Sequence, residues 1–403
     1  MKKLGSGMKG LWNNLKSTTE SFVQNASSQV QASLTVGRYD IRIQTLVAEG
    51  GFSMVYLCKD EVRIGTNNRH NHVACLTSSK SFSHSSQTPN SPTFSQPLAL
   101  KKMICQTRES RSDANTEIKL LRACSHPNII TLLDSSSVDV EGAQRGTKEF
   151  YLLFPFIEKS AYDIIATNIT KSRGYKYEDV NTYAPPYSEI DALEVLLGCC
   201  SALSYFHTEL LVSHRDFKPH NVLLRFDGGG FMGGPTAVVM DVGSAARANV
   251  EVKNRTEAIN LEEEVRGSPA NAHGHTGDHL NSNLHFFSFL SQAGTKCSAP
   301  YRAPELFEVR VGSVVGVATD IWSLGCTMFA LAFGYCPFET PKEGVMKLAI
   351  LNGNWKFPRS GSVNEFSEGY KSLIEKLLSR EPEDRGTAKE AVEEFKLLLQ
   401  VFR

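Results

Sequence analysis

Residues 214–221, His-Arg-Asp-Phe-Lys-Pro-His-Asn, contain the side-chain spacing that most directly suggests a chemistry in this 403-residue chain. Asp216 is followed two residues later by Lys218 and five residues later by Asn221. Asp216 could accept the proton of a substrate hydroxyl, Lys218 could neutralise charge on a moving phosphoryl group, and Asn221 could hold a magnesium ion. The run therefore indicates phosphoryl transfer, which also needs groups that bind a nucleotide.

Such groups precede this run. Residues 48–55 place Gly50 and Gly51 between two strand-like runs, so that backbone amides can approach a triphosphate, although an ordinary hairpin turn would have the same pattern. Lys101 lies in the next apolar run, and Glu117 follows sixteen residues later on a predicted helix. These two side chains would pair and hold Lys101 against the α- and β-phosphates, the alternatives being a solvated strand lysine and a surface helix acid.

A second acid follows the run. Asp241 comes directly after the apolar residues 237–240, where it would either bind magnesium or cap a turn. Asp216, Asn221 and Asp241 together supply a base and oxygen ligands, while Lys101 supplies a cation. Phosphoryl transfer requires this combination, because it depends on positioning and charge neutralisation.

The elements that must position these groups follow an order of strands first and helices later. Strands are predicted at residues 41–46, 54–58, 98–103, 129–133, 150–154, 222–225 and 237–240. Helices are predicted at 113–124 and 189–208, from Ile321 onward, and after Thr387, which forms a capping box with Glu390. This order predicts an α+β fold in two lobes.

Composition excludes some classes of protein. The 43 basic and 43 acidic residues argue against a general nucleic-acid footprint. Nine scattered cysteines, without a CxxC pair or a secretory signal, favour a reduced, cytoplasmic protein. The uncharged stretch 321–338 contains Gly334 and Pro337 and lacks aromatic and basic flanks, so a buried core helix is predicted instead of a membrane span.

Residues 1–38 are predicted to be an appendage. One helical face of this segment is apolar, comprising Leu4, Met8, Leu11, Trp12 and Leu15, with lysines away from it. This pattern favours peripheral contact of residues 1–16 with an anionic membrane surface. Three glycines oppose the helix, so that docking on the core and disorder are the alternatives.

Two polar inserts are predicted to be disordered, at about 63–97 and 247–294, because neither carries enough apolar residues to fold alone. The second insert contains His273, His275, His279 and His285. Their spacing matches no tight metal site, so a solvated loop is favoured over metal binding.

Taken together, the ordered motifs resemble the eukaryotic protein kinase family over residues 39–403, apart from the inserts. Three further matches are Ala-Pro-Glu at 303–305, Asp-Ile-Trp-Ser-Leu-Gly at 320–325, and Arg385, where the family pairs an arginine with that glutamate. The resemblance implies a small β-rich lobe with one key helix, and a large mainly helical lobe. It also implies ATP, Mg²⁺ (with Mn²⁺ as a substitute) and protein substrates.

The resemblance assigns residues to the site. Catalytic roles fall to Asp216, Lys218, Lys101 and Glu117, and metal binding to Asn221 and Asp241. Nucleotide binding falls to Ala48, Gly50, Gly51, Ser53, Val55, Ala99, Lys101, Phe154, Pro155, Ile157, Asn221 and Asp241. Residues 151–157 resemble the hinge, where Pro155 keeps its carbonyl and Ile157 keeps its amide for adenine.

Within the family, Lys218 and Ser298 favour serine/threonine specificity. Ala-Glu-Gly-Gly-Phe-Ser at 48–53, Gly-Ser-Ala at 243–245 and Tyr-Arg at 301–302 resemble the Numb-associated kinase group, and most of all its short, acylated Golgi member. That resemblance implies a role in vesicle traffic and a peripheral location on Golgi or endosomal membranes. Lys2 stands where N-myristoylation needs glycine, so the apolar helix would supply the membrane contact.

Two other functions are weighed. Ala48 and Ser53 replace the outer glycines of the phosphate loop, and these changes and the inserts motivate a pseudokinase scaffold that binds partners without transfer. A scaffold has no need of the complete charged set, so an active enzyme is favoured. A small-molecule kinase is weaker still, because Lys218 and the Ala-Pro-Glu motif are typical of protein kinases.

Overall fold

The computed structural model describes residues 33–49, 53–60, 97–143, 145–172, 185–266, 297–340, 343–358 and 366–402. Several predictions fall on residues outside these ranges. They are the apolar helix within residues 1–16, nearly all of the first insert, the four histidines of the second, and Gly50 with Gly51.

The N-terminal lobe is built on a six-stranded antiparallel sheet. Its strands are β1 (Ser33–Val36), β2 (Tyr39–Glu49), β3 (Ser53–Asp60), β4 (Pro97–Cys105), β5 (Asp134–Asp139) and β6 (Lys148–Pro155), in the order β1-β2-β3-β4-β6-β5. Side chains alternate across the sheet along each strand. In β4, Leu98 and Leu100 therefore join a buried cluster on one face, while Ala99 and Lys101 line a cavity on the other.

The key helix of this lobe, α1 (Arg108–Ala123), begins five residues before the predicted start, at a capping box formed by Thr107 and Ser110. Its buried residues are Ala114, Glu117, Ile118 and Leu121. Because these positions are spaced by three and four residues, they share one helical face. The acid Glu117 therefore points inward together with apolar side chains.

The C-terminal lobe is mainly helical. Its helices are α2 (Ala161–Ser172), α3 (Glu189–Thr208), α4 (Arg255–Arg266), α5 (Ala318–Phe333), α6 (Lys347–Asn352), α7 (Glu368–Leu377) and α8 (Ala388–Gln400). Its short strands are β7 (Lys159–Ser160), β8 (Val212–Ser213), β9 (Val222–Arg225), β10 (Thr236–Val239), β11 (Ala246–Arg247), β12 (Asn249–Glu251), β13 (Val314–Gly316), β14 (Glu339–Thr340) and β15 (Gly344–Val345). The predicted two-lobed α+β fold is confirmed.

The core of this lobe lies around α5 and α3. Every residue of α5 from Thr319 to Ala332 is buried, which confirms the core helix predicted for the uncharged stretch. Among the described helices, α3 alone is long and apolar enough to cross a membrane, and just over half of its apolar window is buried in the protein (56%). The predicted capping box of Thr387 and Glu390 begins α8, which packs on α3.

The strand predicted at 129–133 is wrong. Ile129 forms only an isolated bridge with Val239, and Ile130 donates one backbone hydrogen bond to the Val239 carbonyl. Both isoleucines are buried in the main core. Their apolar character therefore reflects packing, and the regular ladder begins only at β5.

The boundary at residue 38 is also wrong, because β1 belongs to the lobe. Strand β1 pairs with β2 across a tight turn, in which Gly37 takes a φ of 56°. A left-handed backbone of this kind favours glycine. Val36 is fully buried, so residues from Ser33 onward belong to the lobe.

The second insert begins later than predicted. Residues 249–266 form β12 and α4 instead of a solvated loop. Ala258, Leu261 and Val265 recur at helical spacing and pack with Leu306 and Val315 in a separate buried cluster. These few apolar residues suffice to fold the segment because the lobe supplies the other half of the cluster.

One ion pair joins the Ala-Pro-Glu segment to Arg385, which lies just before α8. Arg385 donates two hydrogen bonds to the carboxylate of Glu305, at 2.7 and 2.9 Å, and its guanidinium lies 5.1 Å from the centroid of the Trp322 ring. The Arg385 side chain has no exposed surface.

Replacing Arg385 with methionine is therefore expected to lower the free energy of unfolding by about 3–5 kcal/mol, because Glu305 would keep a desolvated charge without its partner. Urea unfolding followed by circular dichroism measures the change. Arg380→Met, at a half-exposed position, is the matched control. Equal stability of the two variants would contradict the assignment.

Candidate active site

A cavity lies between the lobes. Its walls are mostly apolar with a few polar groups, as is usual for small-molecule sites. The predicted nucleotide residues among those that line it are Val55, Ala99, Lys101, Phe154, Pro155, Ile157 and Asp241. Ala48 is buried beside Val55, and Ser53 pairs with Met103 at the start of β3.

The cavity has further apolar walls, namely Leu121, Ile130, Phe156, Leu223 and Met240. Phe156 lies within the predicted hinge, whereas the other four, from α1, β9 and two loops, were not assigned to the site, and only the fold brings them together. Their spacing in the chain carries no signal of a shared site.

Lys101 lies at the charged end of the cavity between two carboxylates. Its Nζ is 2.8 Å from Oε1 of Glu117 and 3.3 Å from Oδ1 of Asp241. Burial would lower the pKa of Lys101, but Asp241 and Glu117 together raise it above its ordinary value. The ammonium therefore stays charged and is suited to hold phosphate oxygens. The predicted pairing of Lys101 with Glu117 is present.

Asp241 follows β10 in a left-handed conformation, with φ 62°. Lys101 lowers the pKa of Asp241 against the opposing effect of burial, so the carboxylate is ionised at neutral pH. A Cβ atom on Gly243 would lie 3.3 Å from Oε2 of Glu117 and 3.4 Å from Oδ1 of Asp241. The glycine thus allows the two acids to approach the turn.

The oxygen ligands present fit a magnesium ion that is shared with phosphates. Asn221 donates its Nδ2 hydrogen to the Asp216 carbonyl at 2.8 Å, which leaves Oδ1 as the atom suited to a cation. Asp241 adds an ionised carboxylate. The described residues contain no group of three or more His, Cys, Asp or Glu that could hold a metal ion. A metal at this site would therefore take its remaining ligands from phosphates and water, as magnesium does.

Asp216 is oriented by three donors. Its Oδ1 accepts a hydrogen bond from the Ser298 amide at 2.8 Å, and its Oδ2 accepts one from Lys218 at 2.6 Å and one from Asn221 at 3.3 Å. Lys218 also donates to the Ser298 hydroxyl at 2.5 Å. These donors fix the orientation of the Asp216 carboxylate group.

A buried acid holds the loop that carries Asp216. Asp320, on α5, accepts hydrogen bonds from the backbone amides of His214 and Arg215 at 2.7 and 2.8 Å. Burial would raise the pKa of Asp320, but the bond with His207 at 2.8 Å lowers it. The family resemblance placed Asp320 at the start of a core helix but did not predict that it holds the loop of Asp216. The positive φ of Arg215, 64°, marks the strained loop that Asp320 supports.

The Asp216 loop and the Asp241 strand are joined directly. The amide of Met240 donates to the Asn221 carbonyl at 2.9 Å, and His214 Nε2 lies 3.1 Å from the Met240 carbonyl. The structure thereby brings Lys101, Glu117, Asp216, Lys218, Asn221 and Asp241 to one place. The described ranges leave out Gly50 and Gly51, so the phosphate loop stays a prediction.

Comparison with known proteins is consistent with this geometry. The chain matches the family described as "Protein kinase domain" over residues 86–264 and 283–395. It is 26% identical over 393 residues to serine/threonine-protein kinase ENV7 of Saccharomyces cerevisiae, covering 88% of this chain and 91% of that protein. It is 28% identical over 290 residues to human serine/threonine-protein kinase 16, covering 71% of this chain and 77% of that protein.

A third relative, serine/threonine-protein kinase ppk13 of Schizosaccharomyces pombe, is 25% identical over 417 aligned positions, which cover 97% of this chain and 99% of that protein. The family match extends over more than half of the chain and includes Lys101, Asp216 and Asp241. The chain belongs to the protein kinase domain family.

Proposed function

We propose that this kinase transfers the γ-phosphoryl group of ATP to serine and threonine hydroxyls of proteins, with Mg²⁺ held by Asn221 and Asp241. The observation that carries the proposal is the set of contacts that joins these groups: Lys101 and Asp241 line the cavity in direct contact, and the amide of Met240, beside Asp241, donates to the Asn221 carbonyl in the loop that carries Asp216. Bound Mg²⁺ would neutralise charge on the phosphates.

Each of these residues has a separate role in the proposed reaction. Lys101, fixed by Glu117, would orient the α- and β-phosphates. Asp216 holds an acceptor oxygen for the hydroxyl proton of the substrate, and Lys218, 2.6 Å from that carboxylate, neutralises charge as the phosphoryl group moves. The apolar walls near Phe154 and Leu223 exclude water from an adenine ring.

Serine/threonine specificity is supported by Lys218 and its bond to the Ser298 hydroxyl. The names of the relatives agree with it. Membership of the Numb-associated group, a role in vesicle traffic, and cytoplasmic location with peripheral contact on Golgi or endosomal membranes are further parts of the proposal. The motifs at 48–53, 243–245 and 301–302 and the apolar face within residues 1–16 support them.

Asp216→Asn is expected to reduce phosphoryl transfer about 10²–10⁴-fold, because an amide cannot accept the proton and would turn a donor toward Lys218 or Ser298. Transfer from radiolabelled ATP to a generic protein substrate measures it, with Mg²⁺ or Mn²⁺. Fold and Mg-ATP affinity should stay near wild type. Comparable rates for wild type and variant would contradict the assigned base.

Mg-ATP is expected to raise the melting temperature of the wild-type protein, since a ligand that binds only the native state stabilises it by mass action. Lys101→Met should diminish this shift. The matched control is Lys102→Met, which removes a lysine that pairs with Glu149 at 2.8 Å instead. No shift in the wild type would favour the pseudokinase scaffold.

Deleting residues 1–16 is expected to reduce co-sedimentation with anionic liposomes and to leave the phosphorylation of a soluble peptide unchanged, because the apolar face and its lysines lie in this segment. Neutral liposomes are the control. Full-length protein that stays in the supernatant with anionic liposomes would rule out the membrane contact.

A further inference from the structure

Helix α1 carries a row of cations on the side that points away from the cavity. This basic stripe comprises Arg108, Arg111, Lys119 and Arg122. With about 3.6 residues per turn, these positions share one side of the helix, opposite to the side that carries Glu117 into the site. Arg108, Lys119 and Arg122 are exposed, and Arg111 is half-buried. The stripe therefore presents positive charge to solvent over a length of about 20 Å.

The basic stripe has little countercharge. Among the described residues, no carboxylate lies within ion-pair distance of its four cations. The exposed acids of α1, Glu109 and Asp113, lie on the flank of the helix. In the neighbouring β5, Asp139 pairs with Lys148 at 3.0 Å. Because the chain has 43 basic and 43 acidic residues, this excess is local, and a local excess of positive charge favours an anionic partner.

Two of the cations are held in place by uncharged acceptors. Arg111 donates to the carbonyl of Gly146, and Nη2 of Arg122 donates to Oγ of Ser135 in β5 at 2.9 Å. These bonds fix the stripe against β5, the edge strand of the sheet. Since neither acceptor is ionised, the positive charge of the stripe is not cancelled.

Strand β5 also lies beside the strand by which the chain enters the lobe. Strand β1 contacts β5, and the amide of Arg38 donates to Oδ2 of Asp134 at 3.0 Å. Asp134 precedes Ser135, the residue that Arg122 contacts. Because β1 spans only about 10 Å, its first residue, Ser33, lies in the same part of the lobe as the stripe.

The segment proposed to contact a membrane is attached at this point. Residues 17–32 connect it to Ser33 and can span up to about 50 Å when extended. The apolar face within residues 1–16 and the basic stripe can therefore reach one surface at the same time. Lysines accompany that apolar face, so both elements favour the same anionic lipids.

We propose that the basic stripe of α1 binds anionic lipid headgroups and lies on the membrane together with residues 1–16. This inference rests on the membrane contact in the proposed function and extends it to the folded lobe. A row of cations on the convex side of a helix fits a flat, charged surface. Each lysine or arginine close to such a surface strengthens binding about fivefold.

The test measures co-sedimentation of the full-length protein with vesicles of phosphatidylcholine and phosphatidylserine. The double variant Arg108→Gln/Lys119→Gln is expected to bind roughly 25-fold more weakly, about fivefold for each charge removed. Its binding should also depend less on salt. The matched control, Arg310→Gln/Lys389→Gln, removes two exposed cations of the C-terminal lobe and should bind like the wild type. Both variants should keep the wild-type melting temperature and the wild-type rate with a soluble peptide.

The possible results separate this inference from the proposed function. A double variant that binds vesicles like the wild type, while deletion of residues 1–16 abolishes binding, would overturn the inference and leave the proposed membrane contact in place. Wild-type protein that binds soluble polyglutamate more tightly than the vesicles would overturn it in favour of an acidic protein partner. Wild-type protein that ignores the anionic vesicles would overturn both membrane proposals, whereas transfer to the soluble peptide tests the catalytic proposal separately.

Discussion

The Lys101 ammonium between two carboxylates is the interaction on which the site depends. Strand β4 brings the lysine from the N-terminal sheet, α1 brings Glu117 and the turn after β10 brings Asp241. Desolvating these three charges is unfavourable, and only their mutual attraction offsets it. The elements that supply them must therefore adopt one arrangement, which sets the geometry of the cavity between the lobes.

In the C-terminal lobe, a second buried acid holds a loop of the candidate site in position. Asp320 begins α5 and accepts hydrogen bonds from the backbone of the loop that carries Asp216. The loop contains a residue with positive φ, so it would relax if these bonds were absent. Because α5 is buried from Thr319 to Ala332, the loop that carries the base is bonded to a helix of the packed core.

The charged groups could be singled out in the sequence for a physical reason. Lys101, Glu117, Asp216, Asn221 and Asp241 are polar residues next to apolar runs, and burying such residues is costly unless they have partners. Strand alternation and helix periodicity could also be inferred locally, which is why β9 and α3 were predicted to the residue.

The features that were missed depend on long-range packing. Helix α4 has few apolar residues, and its buried face exists only against Leu306 and Val315, so the segment was predicted to be a solvated loop. Residues 129–133 have the composition of a strand, yet they pack as an irregular segment. The contacts of Asp320 were missed for the same reason, since the backbone amides that it accepts from lie more than a hundred residues earlier in the chain.

The central claim is that these distant charges act on one metal-bound nucleotide. A crystal structure with Mg²⁺ and a non-hydrolysable ATP analogue tests it most directly. The account predicts Lys101 on the α- and β-phosphates, Asn221 and Asp241 on the metal, and the γ-phosphate facing Asp216. A nucleotide bound elsewhere, or one whose phosphates lie away from Lys101 and Asp241, would contradict it.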